Sequence, residues 1–420
     1  MLQRIGEMTR RLAIGTLALL VFSIPFESGV SIAGVGSVSR LIGILAMGMG
    51  VVSLFEGSRV RFRAPSLFLL LAAAFVAWGA VSYFWSLVPP VSLARTFQFV
   101  QLLLFAWLIH QLCRTERDRD LLMQAFVLGC LSMVGVAVAM YFGAARVDYR
   151  DVAFSTNEFA AVAALAIPMA WGLMLRRAYP ALQLVNTLYP LVALAGVVLA
   201  ASRGGLLTAL VGLVIVPLAL RHVGLVRRVV LSLGVAAVAF ASFMWFPQAV
   251  PDLERNLERL GAVEEELVGG TMTGRTDIWM AGLQVFHDSP VLGVGVGTYA
   301  YAVEPVLGRF RGAHNAFWSV AVTTGVIGAL LFFAMFAVVL VGLTASRPRR
   351  VDALVLFAAL LVSVLPLNVE NNKFVWFTLA VLASVRPVMI RVGYGIEQAS
   401  ISRNRAPTSS DSRRPSAAAE

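Results

Sequence analysis

Charge is scarce in this chain, and cysteine is scarcer. Asp, Glu, Lys and Arg make up only 14% of the residues, against 59% hydrophobic, and mean hydropathy is +0.82. That balance excludes an ordinary soluble domain, in which about a quarter of the residues are charged. Two cysteines, Cys113 and Cys130, are too few for a disulfide framework or a thiolate metal site. The four histidines lack metal-ligand spacing, so the expected chemistry is metal-independent and needs no cofactor. Lysine is almost absent. Lys373 is the single copy, and the net charge of +11 is carried by arginine. In a soluble protein such an excess would suggest a nucleic-acid partner. Here membrane topology accounts for most of it, and no nucleic acid is expected.

What the chain does have is apolar runs of about twenty residues, the length that crosses a hydrocarbon core as a helix. Lipid offers the backbone no hydrogen bonds, so such runs must be helical. Hydropathy predicts about twelve spans, near 12–26, 38–55, 66–86, 93–112, 121–143, 158–175, 184–201, 204–220, 229–247, 314–343, 352–368 and 373–390. The first follows Arg4, Arg10 and Arg11 like a secretion signal. No small-residue cleavage site follows it, so it is read as a span. With a cytoplasmic N-terminus, alternate connections carry Arg59/Arg61/Arg63, Arg114/Arg117/Arg119, Arg176/Arg177, Arg221/Arg227/Arg228 and Arg347/Arg349/Arg350. This is the positive-inside pattern, and it puts both termini in the cytoplasm. The expected fold is therefore all-α and polytopic, residues 1–395 forming the membrane domain with one large helical loop at 248–313 on the outer side. Residues 396–420, rich in Ser, Arg, Pro and Ala, read as a disordered basic tail. Within the loop, Leu253, Leu257, Leu260, Val263 and Leu267 trace an amphipathic helix, and a second short helix runs from Thr276 to about Phe286.

Three residues on the outer side stand out. Arg203, in Ser202-Arg203-Gly204-Gly205, joins two spans through so short a turn that it must sit at the membrane surface. An ionisable group there marks a functional candidate, and Gly204 and Gly205 would let a large ligand approach the backbone; a snorkelling structural arginine is the alternative. Arg275 opens the second loop helix, where a guanidinium and a helix N-terminus both favour an oxyanion. Pairing with Asp277 or with Glu264–Glu266 is its alternative. His314, followed by Asn315, begins a long span, and an imidazole suits general-base work near neutral pH; a packing or capping histidine is the competing role. His110 and His222 fall beside arginines at cytoplasmic helix ends and are expected to be solvated. Gly293-x-Gly295-x-Gly297 lacks the strand–helix context of a dinucleotide loop and reads as a tight turn. Asp148, Asp151, Asn157 and Glu158 are further polar candidates, against a solvated loop.

SRGG before a span, GRTDIW and DSPVLGVGVGTY in the loop, and AHNAFW followed by TGVIG resemble the O-antigen ligase/polymerase superfamily of bacterial membrane proteins. The stretch Phe154 to Ala160, containing Asn157, is similar to an Asn-containing segment of that family. The resemblance implies an undecaprenyl-diphosphate-linked glycan as donor, with lipid A-core or a glycan as acceptor. It implies an inner-membrane location and a periplasmic site. Carried over by motif, Arg203 and Arg275 match arginines that engage the donor diphosphate, and His314 matches the base that activates the acceptor hydroxyl. Gly204, Asn315 and Asn157 join them as substrate contacts. Polymerase and, in another class, a transporter or flippase are the alternatives.

Overall fold

The computed structural model describes residues 2–27, 31–32, 36–56, 59–60, 62–142, 155–200, 202–213, 224, 226, 234, 274–345 and 351–384. Residues Met1–Val388 form one compact unit. The ninth expected span apart from Gly234, the amphipathic segment at 253–267, Asp148, Asp151, His222 and the basic tail lie outside the described residues.

Among the described residues the architecture is helical, apart from two antiparallel pairings of two residues each, Ser31–Ile32 with Gly36–Ser37 and Phe55–Glu56 with Arg59–Val60. The helices are α1 (Leu2–Ser23), α2 (Val38–Leu54), α3 (Leu67–Val81), α4 (Pro89–Leu112), α5 (Glu116–Phe142), α6 (Thr156–Leu175) and α7 (Gln183–Leu199). They continue as α8 (Arg203–Leu213), α9 (Arg275–Asp288), α10 (Tyr299–Leu307), α11 (Ala316–Thr344), α12 (Val351–Val364) and α13 (Lys373–Ala383). Among the described residues, seven helical segments are long and apolar enough to cross a membrane, and α2, α8, α12 and α13 are shorter apolar helices.

The centre of the bundle is α6. Every residue from Phe159 to Ala170 is buried, as expected of a helix that is apolar all round. Its Ala-rich sequence lets neighbours approach closely, which is how helices associate where apolar burial gives little drive. A β-carbon on Gly205 of α8 would lie 2.3 Å from that of Ala160. That contact fixes the turn before α8 against the start of α6. Helix α6 also packs on α5, α7 and α12.

Helix α11 is broken at Gly325, whose φ of 66° and ψ of −173° leave the helical region. Freed backbone groups at membrane depth need partners, and the glycine-rich turn supplies them. Gly295 N–H donates to Thr323 O at 2.9 Å, and Val326 N–H donates to Pro290 O at 2.9 Å. Trp78 Nε1 donates to Thr324 O at 2.8 Å. Gly293, Gly295 and Gly297 all have positive φ, so the segment is a turn docked on the kink.

Polar contacts gather at the two ends of the bundle. At one, Arg10 binds Asp118 at 2.5 Å and Leu112 O at 3.2 Å. There Arg63 reaches His110 O at 2.9 Å and Cys113 O at 3.1 Å, and Arg176 binds both Asp120 and Asp352. His110 is buried there, its Nε2 2.9 Å from Ala64 O. This corrects the expectation that it is solvated: the chain after Phe62 folds back over the end of α4 and covers the ring. Both cysteines are buried and free.

Candidate active site

The opposite end holds every described residue singled out above for chemistry. One wall is the turn Ser202–Gly205. Ser202 is buried, and its hydroxyl donates to Asn157 Oδ1 at 2.8 Å while accepting from Gly205 N–H at 3.1 Å. The hydroxyl thus caps α8 and ties it to the first turn of α6, holding Arg203 at the head of α8 with its side chain half-buried.

The second wall is built from α9 and the segment before α11. Gly274 precedes α9 in the left-handed region, φ 66°, and Arg275 is the first helical residue. Trp279 Nε1 donates to Ala313 O at 2.8 Å, which clamps α9 beside His314. His314 is not the first residue of the span. It precedes α11 with φ 48°, while Asn315 caps the helix by accepting from Trp318 N–H at 3.0 Å. A left-handed non-glycine residue costs about 1–2 kcal/mol, and such strain concentrates at functional sites. Burial pushes the His314 pKa below the usual imidazole value, and the positive charges of Arg275 and then Arg311 push it the same way. The ring is therefore held neutral, the form that can accept a proton.

Sequence reasoning missed the piece that joins these walls. Between α12 and α13 lies a connector ending Asn368-Val369-Glu370-Asn371-Asn372 before Lys373. A β-carbon on Gly204 would lie 3.1 Å from Pro366 Cγ, and one on Gly312 would lie 2.3 Å from Asn368 Nδ2. The connector thus touches the Arg203 turn on one side and the approach to His314 on the other. Asn372 lies close enough to Glu158, in the first turn of α6, to act on its carboxyl. Glu370 is buried, its Oε1 accepting from Ser319 Oγ at 2.9 Å, one turn into α11. Burial pushes its carboxyl above the usual range, and Arg95 opposes the shift. Asn371 Nδ2 donates to Gln98 Oε1 at 3.1 Å, and Lys373 pairs with Glu27. Five polar residues, Asn368, Glu370, Asn371, Asn372 and Lys373, crowded between two apolar runs were the available signal.

Residues 188–333 match the family model described as O-antigen ligase. The match supports the O-antigen ligase superfamily for this chain. It spans Arg203, Gly204, Arg275, His314 and Asn315, while Asn157 and the connector lie outside it. The matched family suggests glycan transfer of the ligase or polymerase kind, and the apolar helices together with that match suggest a membrane protein. No curated protein matches the chain. Among the described residues no group of three or more His, Cys, Asp or Glu side chains could hold a metal ion.

Proposed function

We propose that this protein transfers a glycan from an undecaprenyl-diphosphate carrier to an acceptor hydroxyl, with lipid A-core as the acceptor, at the periplasmic face of the inner membrane. Both termini are then cytoplasmic, and about twelve spans carry the site. The imidazole of His314 takes the proton of the acceptor hydroxyl. The acceptor oxygen bonds to the anomeric carbon as the bond from that carbon to the diphosphate oxygen breaks, and the electron pair leaves with the diphosphate. Arg203 and Arg275 offset the charge growing there, so no metal is needed. A single displacement inverts the anomeric configuration. Gly204, Asn157 and Asn315 shape the site around the donor.

The observation that supports this reading is the connector at 366–368, which abuts both walls. Repeat-unit polymerisation is the second reading, because the family supports either kind of transfer. The test is transfer in vitro from purified lipid-linked glycan to lipid A-core, without nucleotide or added metal. Product of inverted configuration supports the proposal, and absence of transfer defeats it. A deletion strain separates the two readings. Long glycan accumulating on the carrier indicates a lost ligase, and single repeat units on the acceptor indicate a lost polymerase.

A further inference from the structure

The loop between α10 and α11 carries two arginines that the proposed chemistry does not use. Gly308 ends α10 in the left-handed region, its N–H donating to Glu304 O at 2.8 Å. At the far end Gly312 abuts Asn368, and Ala313 O accepts from Trp279. Between them the Phe310 ring meets Tyr301 edge-on, with centroids 4.9 Å apart. The loop is thus fixed at both ends and in the middle, and Arg309 and Arg311 project from a defined frame.

Both arginines are exposed, and the usual fate of an exposed arginine is solvation. Two observations set these apart. Their charges converge on the site: Arg311 acts on the His314 ring, and Arg309 Nη2 lies 3.4 Å from where a β-carbon of Gly274 would be, directly before Arg275. Among the described residues, neither arginine is held in an ion pair; the nearest acids in sequence, Glu304 and Asp288, are themselves exposed. A concentration of like charge is unfavourable until an anion enters it, and guanidinium binds phosphate and carboxylate in a forked geometry.

We propose that Arg309 and Arg311 form an anion-binding subsite for a phosphate or carboxylate substituent of the acceptor. This rests on the reading of His314 as the base. The group whose proton His314 takes must lie against the ring, so a substituent held by arginines flanking that ring belongs to the acceptor. The donor diphosphate is the anion of Arg203 and Arg275, which leaves Arg309 and Arg311 for the acceptor. Phe310, 54% exposed between the two arginines, offers an apolar face to the same amphipathic molecule.

The experiment is steady-state transfer by the purified full chain in nanodiscs, with lipid A-core as acceptor before and after enzymatic removal of its phosphates. For Arg309→Gln/Arg311→Gln the KM for the phosphorylated acceptor should rise roughly tenfold to a hundredfold, the worth of one or two charge-assisted contacts. The donor KM should move by less than about twofold, and the wild type should itself lose affinity when the phosphates are removed. Arg309→Lys/Arg311→Lys should recover part of the loss, which separates charge from loop geometry. An unchanged acceptor KM, or an equal shift in donor KM, overturns the subsite. Discs of phosphatidylcholine alone are compared with discs containing phosphatidylglycerol. A defect seen only with the anionic lipid assigns the arginines to bilayer headgroups and also overturns it. Failure of the wild type to transfer would instead remove the functional reading on which the subsite rests.

Discussion

The two ends of the bundle use arginine in opposite ways. At the Arg176 end, guanidiniums are consumed as clamps. Arg176 joins α6 to Asp120 of α5 and Asp352 of α12, Arg63 closes over the carbonyls at the end of α4, and Arg119 reaches Ser384 O at 3.1 Å. At the His314 end, Arg275 and Arg311 press positive charge on an imidazole already short of water. The backbone repeats the contrast. The two described non-glycine residues with positive φ are Arg177 and His314. Arg177 closes the C-terminus of α6, its N–H donating to Met174 O at 3.0 Å, an ordinary helix ending. His314 sits before a helix N-terminus, where no such rule calls for it. One end spends its charge on holding helices together; the other keeps charge and strain where a substrate could use them.

Substitutions can break that comparison. The largest effects on chemistry should come from His314→Ala and Arg275→Ala, each lowering transfer by on the order of a hundredfold or more while expression and thermal midpoint stay near wild type. Arg176→Ala should do the reverse. It removes the guanidinium that Asp120 and Asp352 share, and should cost about 2–3 kcal/mol, somewhat less than breaking a fully buried pair, read as a lower melting temperature in detergent. If Arg176→Ala instead abolished transfer in a folded protein, the division of labour would be wrong.

Packing at the first wall gives the next effect. Gly205→Ala drives a β-carbon into Ala160, and overpacking of this kind costs about 1–3 kcal/mol. Because it pries α8 from α6, donor KM should rise along with the loss of stability, whereas Gly308→Ala, which meets open space but keeps a positive φ, should cost only about 1 kcal/mol. The smallest effect sharpens the electrostatics. Positive neighbours disfavour the protonated ring, so removing one raises its pKa. Arg311→Gln should therefore shift the acid limb of the pH–rate profile to higher pH. An unmoved limb would mean that Arg311 does not act on His314.

Much of the frame was legible in the sequence. Apolar runs and arginine-rich loops gave the helices, and the arginines at 10, 63, 119 and 176 do converge at one end. Three things were not legible. The hydropathy window carried the α12 run to 368, whereas the helix stops at Val364; Pro366 cannot continue it, while Leu365 and Leu367 keep the average apolar. The left-handed backbone of His314 depends on Trp279 and Asn315 holding the chain from both sides, which no local pattern reports. The burial of His110 depends on the chain after Phe62, nearly fifty residues away in sequence. Site residues read from motif and placement came out on one end of the bundle, but the connector between them has contacts that only the fold creates.

The central claim is that the two walls act on one diphosphate. A double-mutant cycle on kcat/KM for the lipid-linked donor, built from Arg203→Lys, Arg275→Lys and the pair, tests it most directly. Groups that share one ligand are coupled, and the account predicts an interaction energy of about 1 kcal/mol or more, roughly a fivefold departure from additivity. Independent losses that simply multiply would contradict it.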